Sequence, residues 1–220
     1  LQYIIIDGGS TDSTKKIVES HSDVVDVFIS EPDDGTSDAA NKALSYVEGQ
    51  YVVWISADDW FGENFLHTAV DALTKSNADL FFGAMSMHGP TGELIQTVYQ
   101  EKNIKVCLSQ GQGINFPTIM YKASYLKEIG GLDLSLKYCN DLEWLLRAYT
   151  ISEPACVFSS EVTIHRANDG LVSQNARSAS IEVIKLYRRY GRSTAHLMSK
   201  LVLREVLNLV RYLRSYLGAK

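Results

Sequence analysis

The chain has 220 residues and a mass of 24.5 kDa, 45% hydrophobic and 21% charged, which is enough to bury one sizeable core. Fifteen Gly, four Pro and the lack of any apolar run near the roughly 18 residues of a membrane span argue against collagenous, disordered and integral-membrane classes. The net charge of -5 is uneven, because residues 176–220 carry ten Lys/Arg against two Glu while the first 175 carry eleven Lys/Arg against 24 Asp/Glu.

In chain order, residues 3–6 form a β-rich run that stops at Asp7-Gly8-Gly9-Ser10, and residues 14–20 have helical spacing. A second strand is predicted over 24–29, ending at Ser30-Glu31-Pro32-Asp33-Asp34-Gly35. Residues 38–47 return to a helix with Ala39, Ala40, Ala43, Leu44 and Val47 on its apolar face. The continuous apolar run 51–56 reads as a strand buried on both sides of a parallel sheet, and it ends in Ala57-Asp58-Asp59-Trp60. A helix over 64–76 and a strand over 78–85 follow, and alternation of this kind predicts α/β architecture. The pattern loosens over 97–112, with loops around Gly111, Gly113 and Pro117, then gives a strand at 119–121 and helices at 123–129 and 141–149. Beyond Gln174, apolar residues recur at helical spacing among Arg and Lys, which predicts two basic amphipathic helices broken near Gly191.

Ligands of open α/β sheets bind outside the carboxyl ends of the strands, and three strand ends here each deliver carboxylates: Asp7, then Asp33 and Asp34, then Asp58 and Asp59. Carboxylates gathered at one edge repel each other unless a cation sits among them. Their hard oxygens suit Mg²⁺ or Mn²⁺, and a divalent ion bridging a diphosphate is the natural occupant.

Four segments, taken in order, resemble the inverting family 2 glycosyltransferases of the GT-A fold. They are Ile5-Ile6-Asp7-Gly8-Gly9-Ser10-Thr11-Asp12, Pro32-Asp33-Asp34-Gly35 with the helix start through Asn41, Trp54-Ile55-Ser56-Ala57-Asp58-Asp59, and Gly131-Leu132-Asp133 with Asn140-Asp141-Leu142-Glu143-Trp144. The resemblance implies a Rossmann-like, mostly parallel sheet flanked by helices over 1–175, with 176–220 as a helical appendage. It implies a nucleotide-diphosphate sugar as donor and a hydroxyl acceptor, in polysaccharide or glycolipid synthesis. By the same resemblance Asp7, Gly9, Asp34 and Asn41 line the nucleotide, Asp58 orients sugar or ribose hydroxyls, and Asp59 holds the metal. Asp141 is the general base, with Glu143 next in line. The alternatives are an Asx-type turn with Gly9 for Asp7 and a helix N-cap for Asp141.

The sequence also departs from the family pattern. A Pro-Thr-Tyr-Asn-like opening strand has no counterpart, so the chain is expected to begin about one βα unit into the fold. Ser56 and Asn140 stand where many members have acidic residues, and Asn168-Asp169-Gly170 stands where a metal-proximal histidine is common, His165 coming three residues too early. These departures leave a second reading open, a catalytically inactive sugar-nucleotide-binding module. Trp60 and Trp144 flank the acidic motifs, and each fits sugar stacking or plain packing.

The basic stripe of 176–220 fits either an anionic membrane surface carrying a lipid-linked acceptor or a cap packed on the acidic body. That acidic body repels phosphate backbones, so no nucleic-acid partner is expected. The scattered Cys107, Cys139 and Cys156 form no CxxC pair, and the opening Leu1-Gln2-Tyr3 lacks a basic n-region. The expected location is cytoplasmic, peripheral at the inner face of the membrane.

Overall fold

A computed structural model describes residues 1–89, 91–110, 114–167, 175–195 and 197–203. The segments 111–113, 168–174 and 204–220, which include the loop glycines Gly111 and Gly113, Asn168 and the end of the basic tail, lie outside the described residues.

Strand β1 (Ile4–Asp7), helix α1 (Thr14–Glu19) and strand β2 (Val27–Ser30) form a βαβ unit whose strands pair in parallel, Ile4 with Val27 and Asp7 with Ser30. Helix α2 (Thr36–Leu44) follows Gly35, whose φ of 108° only glycine adopts without strain. A second, six-stranded sheet contains β3 (Tyr51–Val53), β4 (Trp60–Phe61), β5 (Leu80–His88), β6 (Leu94–Val98), β7 (Ile119–Lys122) and β8 (Cys156–Ala167) in the order β3-β7-β5-β8-β4, with β6 pairing β5. The helices are α3 (Phe65–Ser76), α4 (Ile104–Gln110), α5 (Ala123–Ile129), α6 (Asn140–Ile151) and α7 (Ala176–Arg189), with a 3₁₀ turn at Phe116–Thr118.

The central strand β5 is apolar along its first half because it is covered on both faces. Leu80 and Phe82 point into a core under α5, α6 and α7 with Ile119, Tyr121, Trp144 and Leu145. Phe81 points the other way, into a cluster under α3 with Phe65, Ala69, Leu73, Met120 and Ile164. These are the three layers of an α/β fold.

The α/β expectation holds, but the sheet is mixed where a mostly parallel one was expected. Only the β1–β2 and β5–β8 ladders are parallel; β3–β7, β5–β7, β5–β6 and β4–β8 are antiparallel. The tight Gly89-to-Glu93 turn returns β6 alongside β5, and β7 inserts against the grain between β3 and β5. The predicted strand at 51–56 keeps ladder bonds only to Val53, and Trp54 to Ser56 run on as irregular backbone.

Helix α7 packs on the body of the domain. Ala179, Leu186 and Tyr187 are buried, the last two in the α6-side core. Glu182 accepts the backbone N–H groups of Lys137 (3.0 Å), Tyr138 (2.7 Å) and Cys139 (2.8 Å), the turn that leads into α6. Arg189 pairs with Asp133 at 2.7 Å, and the Tyr190 hydroxyl donates to Glu143 at 2.6 Å. Of the two roles open for the basic stripe, its first helix takes packing.

Candidate active site

Asp7 ends β1 with only 8% of its surface exposed. Its carboxylate accepts the hydroxyls of Ser10 and Ser30, each at 2.5 Å, and the Ser10 N–H at 3.1 Å. Those two hydroxyl donors, chiefly Ser10 and then Ser30, hold its pKa below the ordinary carboxylate value, so Asp7 is an anion across the physiological range. The carboxylate is thus fixed by Ser10 and Ser30, and the bonds described for it run to those residues and not to Gly9. Gly9 takes φ of 90°, and a Cβ on Gly8 would stand 2.8 Å from an Asp33 oxygen, so the loops after β1 and β2 are in contact.

Asp34 is exposed in the turn before α2, with its N–H donated to Asp38 at 3.2 Å. Asn41 is differently employed from the nucleotide contact expected of it. Its Nδ2 donates to Leu132 O at 2.9 Å and its Oδ1 accepts Leu132 N–H at 2.7 Å. A Cβ on Gly131 would meet that Oδ1 at 2.5 Å, so Asn41 is a clasp between α2 and the 130–133 loop.

Gln2 bonds Tyr46 O and the Glu48 N–H, which puts the starts of β1 and β3 side by side. Helix α2 runs back from Asp34 to that point, so β3 sets out toward the edge where Asp7 and Asp34 stand. It delivers Asp58, exposed at the tip of a turn, and Asp59, whose N–H donates to Ser56 O at 3.1 Å and whose Oδ1 is buried. Among the described residues no three His, Cys, Asp or Glu converge as a self-sufficient metal cage. The donor set still fits Mg²⁺ or Mn²⁺, because such ions are commonly held by one or two carboxylates with substrate phosphates and waters completing the shell.

Asp141 opens α6. It is half-buried, accepts Leu142 N–H at 2.6 Å, and receives the Asn140 side-chain oxygen on its own N–H at 2.8 Å. Asn140 also donates from Nδ2 to Ser37 Oγ at 2.5 Å, binding the start of α6 to the start of α2. Desolvation raises the Asp141 pKa to about 6 against the opposing pull of the Leu142 N–H and, more weakly, Arg166. It is the second residue of α6, with Cys139 at the N-cap position and no side-chain cap bond there, and it is poised near neutrality. Glu143, the reserve candidate, is buried and engaged by Arg147 and Tyr190.

Two features escaped sequence reasoning. Arg166 on β8 supplies positive potential at Asp141, and His88 and His165 meet beside Trp60 although 77 residues separate them. No spacing rule marks residues that only a sheet ladder brings together.

The sequence profile of Glycosyl transferase family 2 matches residues 1–130. The chain belongs to that family. An uncharacterized glycosyltransferase of Mycobacterium tuberculosis is 26% identical over 216 residues, covering 89% of this chain and 77% of the relative. The family 2 chain also resembles solved structures in fold. Staphylococcus aureus TarS 1–349 in complex with UDP-GlcNAc superposes with a TM-score of 0.62 at 19% identity, over 89% of this chain and 60% of that one. The mannosyltransferase PcManGT of Pyrobaculum calidifontis, in complex with GDP-Man and Mn²⁺, gives 0.62 at 17% identity, over 92% and 60%. This family 2 chain thus spans three-fifths of each of these two solved chains.

Proposed function

We propose that the chain transfers a glycosyl group from a nucleotide-diphosphate sugar to a hydroxyl acceptor with inversion. The observation that carries this reading is Asp141, a half-buried carboxylate titrating near 6, tied through Asn140 and Ser37 to the helix that follows the Asp34 strand end. The donor lies along the loops of Asp7, Gly9 and Asp34, where the fixed Asp7 carboxylate accepts a ring N–H of the base. The UDP-GlcNAc and GDP-Man complexes of similarly folded chains support a donor of this class. Asp141 takes the acceptor proton as the hydroxyl attacks from the face opposite the leaving diphosphate, which inverts the anomeric carbon. Asp59, with Asp58 beside it, would hold Mg²⁺ or Mn²⁺. Bound there, the ion neutralises charge gathering on the diphosphate.

Calorimetric titration with UDP and GDP tests the donor side. Affinity is expected to fall at least about tenfold when EDTA replaces Mn²⁺, and equally in Asp59→Ala with Mn²⁺ present. Affinity indifferent to both changes would remove the metal from the mechanism. Nucleotide binding without turnover of any nucleotide sugar would mark an inactive binding module.

The acceptor we favour is lipid-linked and the place a cytoplasmic membrane face. Among the described residues no helix is long and apolar enough to cross a membrane, but Met198, Val202 and Leu203 are exposed on a further helical stretch over 197–203 and lead into further basic residues. Each Lys or Arg near an anionic surface contributes about 1 kcal/mol, so Lys200, Arg204, Arg211, Arg214 and Lys220 suffice for reversible binding. The chain should co-sediment with vesicles containing phosphatidylserine, less so at high salt, and not after truncation behind Ser199. A chain that stays in the supernatant at low salt would leave no ground for a membrane acceptor.

A further inference from the structure

Trp60 follows the Asp58-Asp59 pair directly, and 46% of its surface is exposed. It opens β4, where it pairs with His165 while Phe61 pairs with Ile164. Phe61 stacks on Phe65 at 5.3 Å and joins the cluster under α3. Strand alternation therefore sends Trp60 to the opposite face of the sheet, the face that α5 and α6 cover and on which Asp141 stands.

A built floor supports the indole. His165 stacks against it at 5.2 Å with 9° between the planes, and His88 leans on it at 4.9 Å. The two imidazoles share a hydrogen bond of 2.8 Å between His88 Nε2 and His165 Nδ1. The outer atoms of the pair reach Gly92 O (3.1 Å, from His88 Nδ1) and Thr163 Oγ1 (3.2 Å, from His165 Nε2). A carbonyl can only accept, so His88 Nδ1 carries a proton and, in the neutral ring, Nε2 accepts from His165 Nδ1. His165 Nε2 then accepts the Thr163 hydroxyl, and every polar atom is satisfied with both rings neutral. Burial, and secondarily His88, lower the His165 pKa in keeping with this arrangement. One indole face is thus held rigidly and the other turned outward.

A flat apolar face edged by carboxylates is the chemistry that recognises a pyranose, whose C–H face stacks on an aromatic ring while its hydroxyls reach polar groups. The contacts of Trp60 run to β5 and β8, away from the β1 and β2 loops that carry Asp7 and Asp34. We infer that Trp60 is the acceptor platform: its outer face stacks on the sugar ring that bears the attacking hydroxyl, held in place by the His165 and His88 pair. The inference rests on the glycosyl-transfer reading and adds to it that the acceptor is itself a sugar.

The chain has three tryptophans, Trp54, Trp60 and Trp144, so its indole N–H signals are resolvable by ¹⁵N NMR and assignable with Trp60→Phe. With Mg²⁺ and UDP or GDP present at saturation, methyl glycosides of glucose, galactose, mannose and N-acetylglucosamine are titrated to about 50 mM. Saturable movement of the Trp60 signal with at least one glycoside, beyond its position in the nucleotide-saturated chain, is the expected result. In transfer assays Trp60→Ala should raise the acceptor KM about tenfold or more and Trp60→Phe less, with kcat, nucleotide affinity and melting temperature little changed. A Trp60 signal unmoved by every glycoside in the nucleotide-saturated chain, or an unchanged acceptor KM, would overturn the platform. Loss of nucleotide binding or of all turnover in the unsubstituted chain would instead overturn the glycosyltransferase reading beneath it.

Discussion

Asp141→Asn is expected to lower transfer by roughly 10²-fold or more while leaving nucleotide affinity unchanged, and to raise the melting temperature at pH 8. The first effect follows from chemistry, since asparagine keeps the size of Asp141 and the oxygen that accepts the Leu142 N–H but cannot accept the acceptor proton. The second follows from linkage. The Asp141 pKa stands near 6 in the folded chain because burial penalises the anion. In the unfolded chain it titrates near the ordinary aspartate value of about 3.9, so the folded state binds this proton more tightly. Stability is therefore greatest at low pH and falls as pH rises from about 4 to about 6, by up to about 3 kcal/mol. Asparagine mimics the protonated form, so it should recover part of that amount at pH 8 and nothing at pH 4. The wild-type rate should climb with pH through about 6, where the base loses its proton, and level off above. A variant within a few-fold of wild type, with no limb near pH 6, would leave Asp141 with only its local bond to the Leu142 N–H in the first turn of α6.

The carboxylates that follow the first two strands were legible in the sequence for a physical reason. Ile4-Ile5-Ile6 and Val27-Phe28-Ile29 are β-branched or aromatic runs that stop abruptly at polar turn residues, so each run announces both a strand and the carboxylates after it. The longest strand, β8, was missed because Ser159-Ser160-Glu161 interrupts its apolar pattern; its ladder with β5 breaks register between Phe82 and Ala84, so the residues flanking the polar stretch still pair. Strand direction was misjudged because alternation along the chain cannot say where a strand enters the sheet, and β7 enters reversed. Asn41 shows the limit of motif transfer: the residue matched its pattern, yet both ends of its amide are spent on Leu132. The charge split likewise marked 176–220 as different without revealing that Glu182 and Arg189 face groups on the body.

That last point has the largest consequence for stability. Truncation after Asn175 should leave a chain that does not fold cooperatively, whereas truncation after Ser199 should shift the melting temperature by only a few degrees. Tyr187 is wholly buried and Leu186 is 2% exposed, both in the core that carries α6, so removing α7 opens that core to water. Tyr187→Ala alone should cost about 3 to 5 kcal/mol, the range for emptying a buried aromatic site. Glu182→Ala acts differently, because it strips the acceptor from three amides in the turn 137–139 and should cost about 1 to 3 kcal/mol. Glu182→Gln, which keeps one acceptor oxygen, should recover part of the loss. Thermal denaturation followed by circular dichroism ranks the five variants. A 1–175 fragment that melts cooperatively near the full-length temperature would make α7 an appendage after all. The expected collapse instead moves the functional boundary to the end of α7, so that the helix holding the turn before Asp141 counts as part of the catalytic body and only the residues beyond it remain free to meet a membrane.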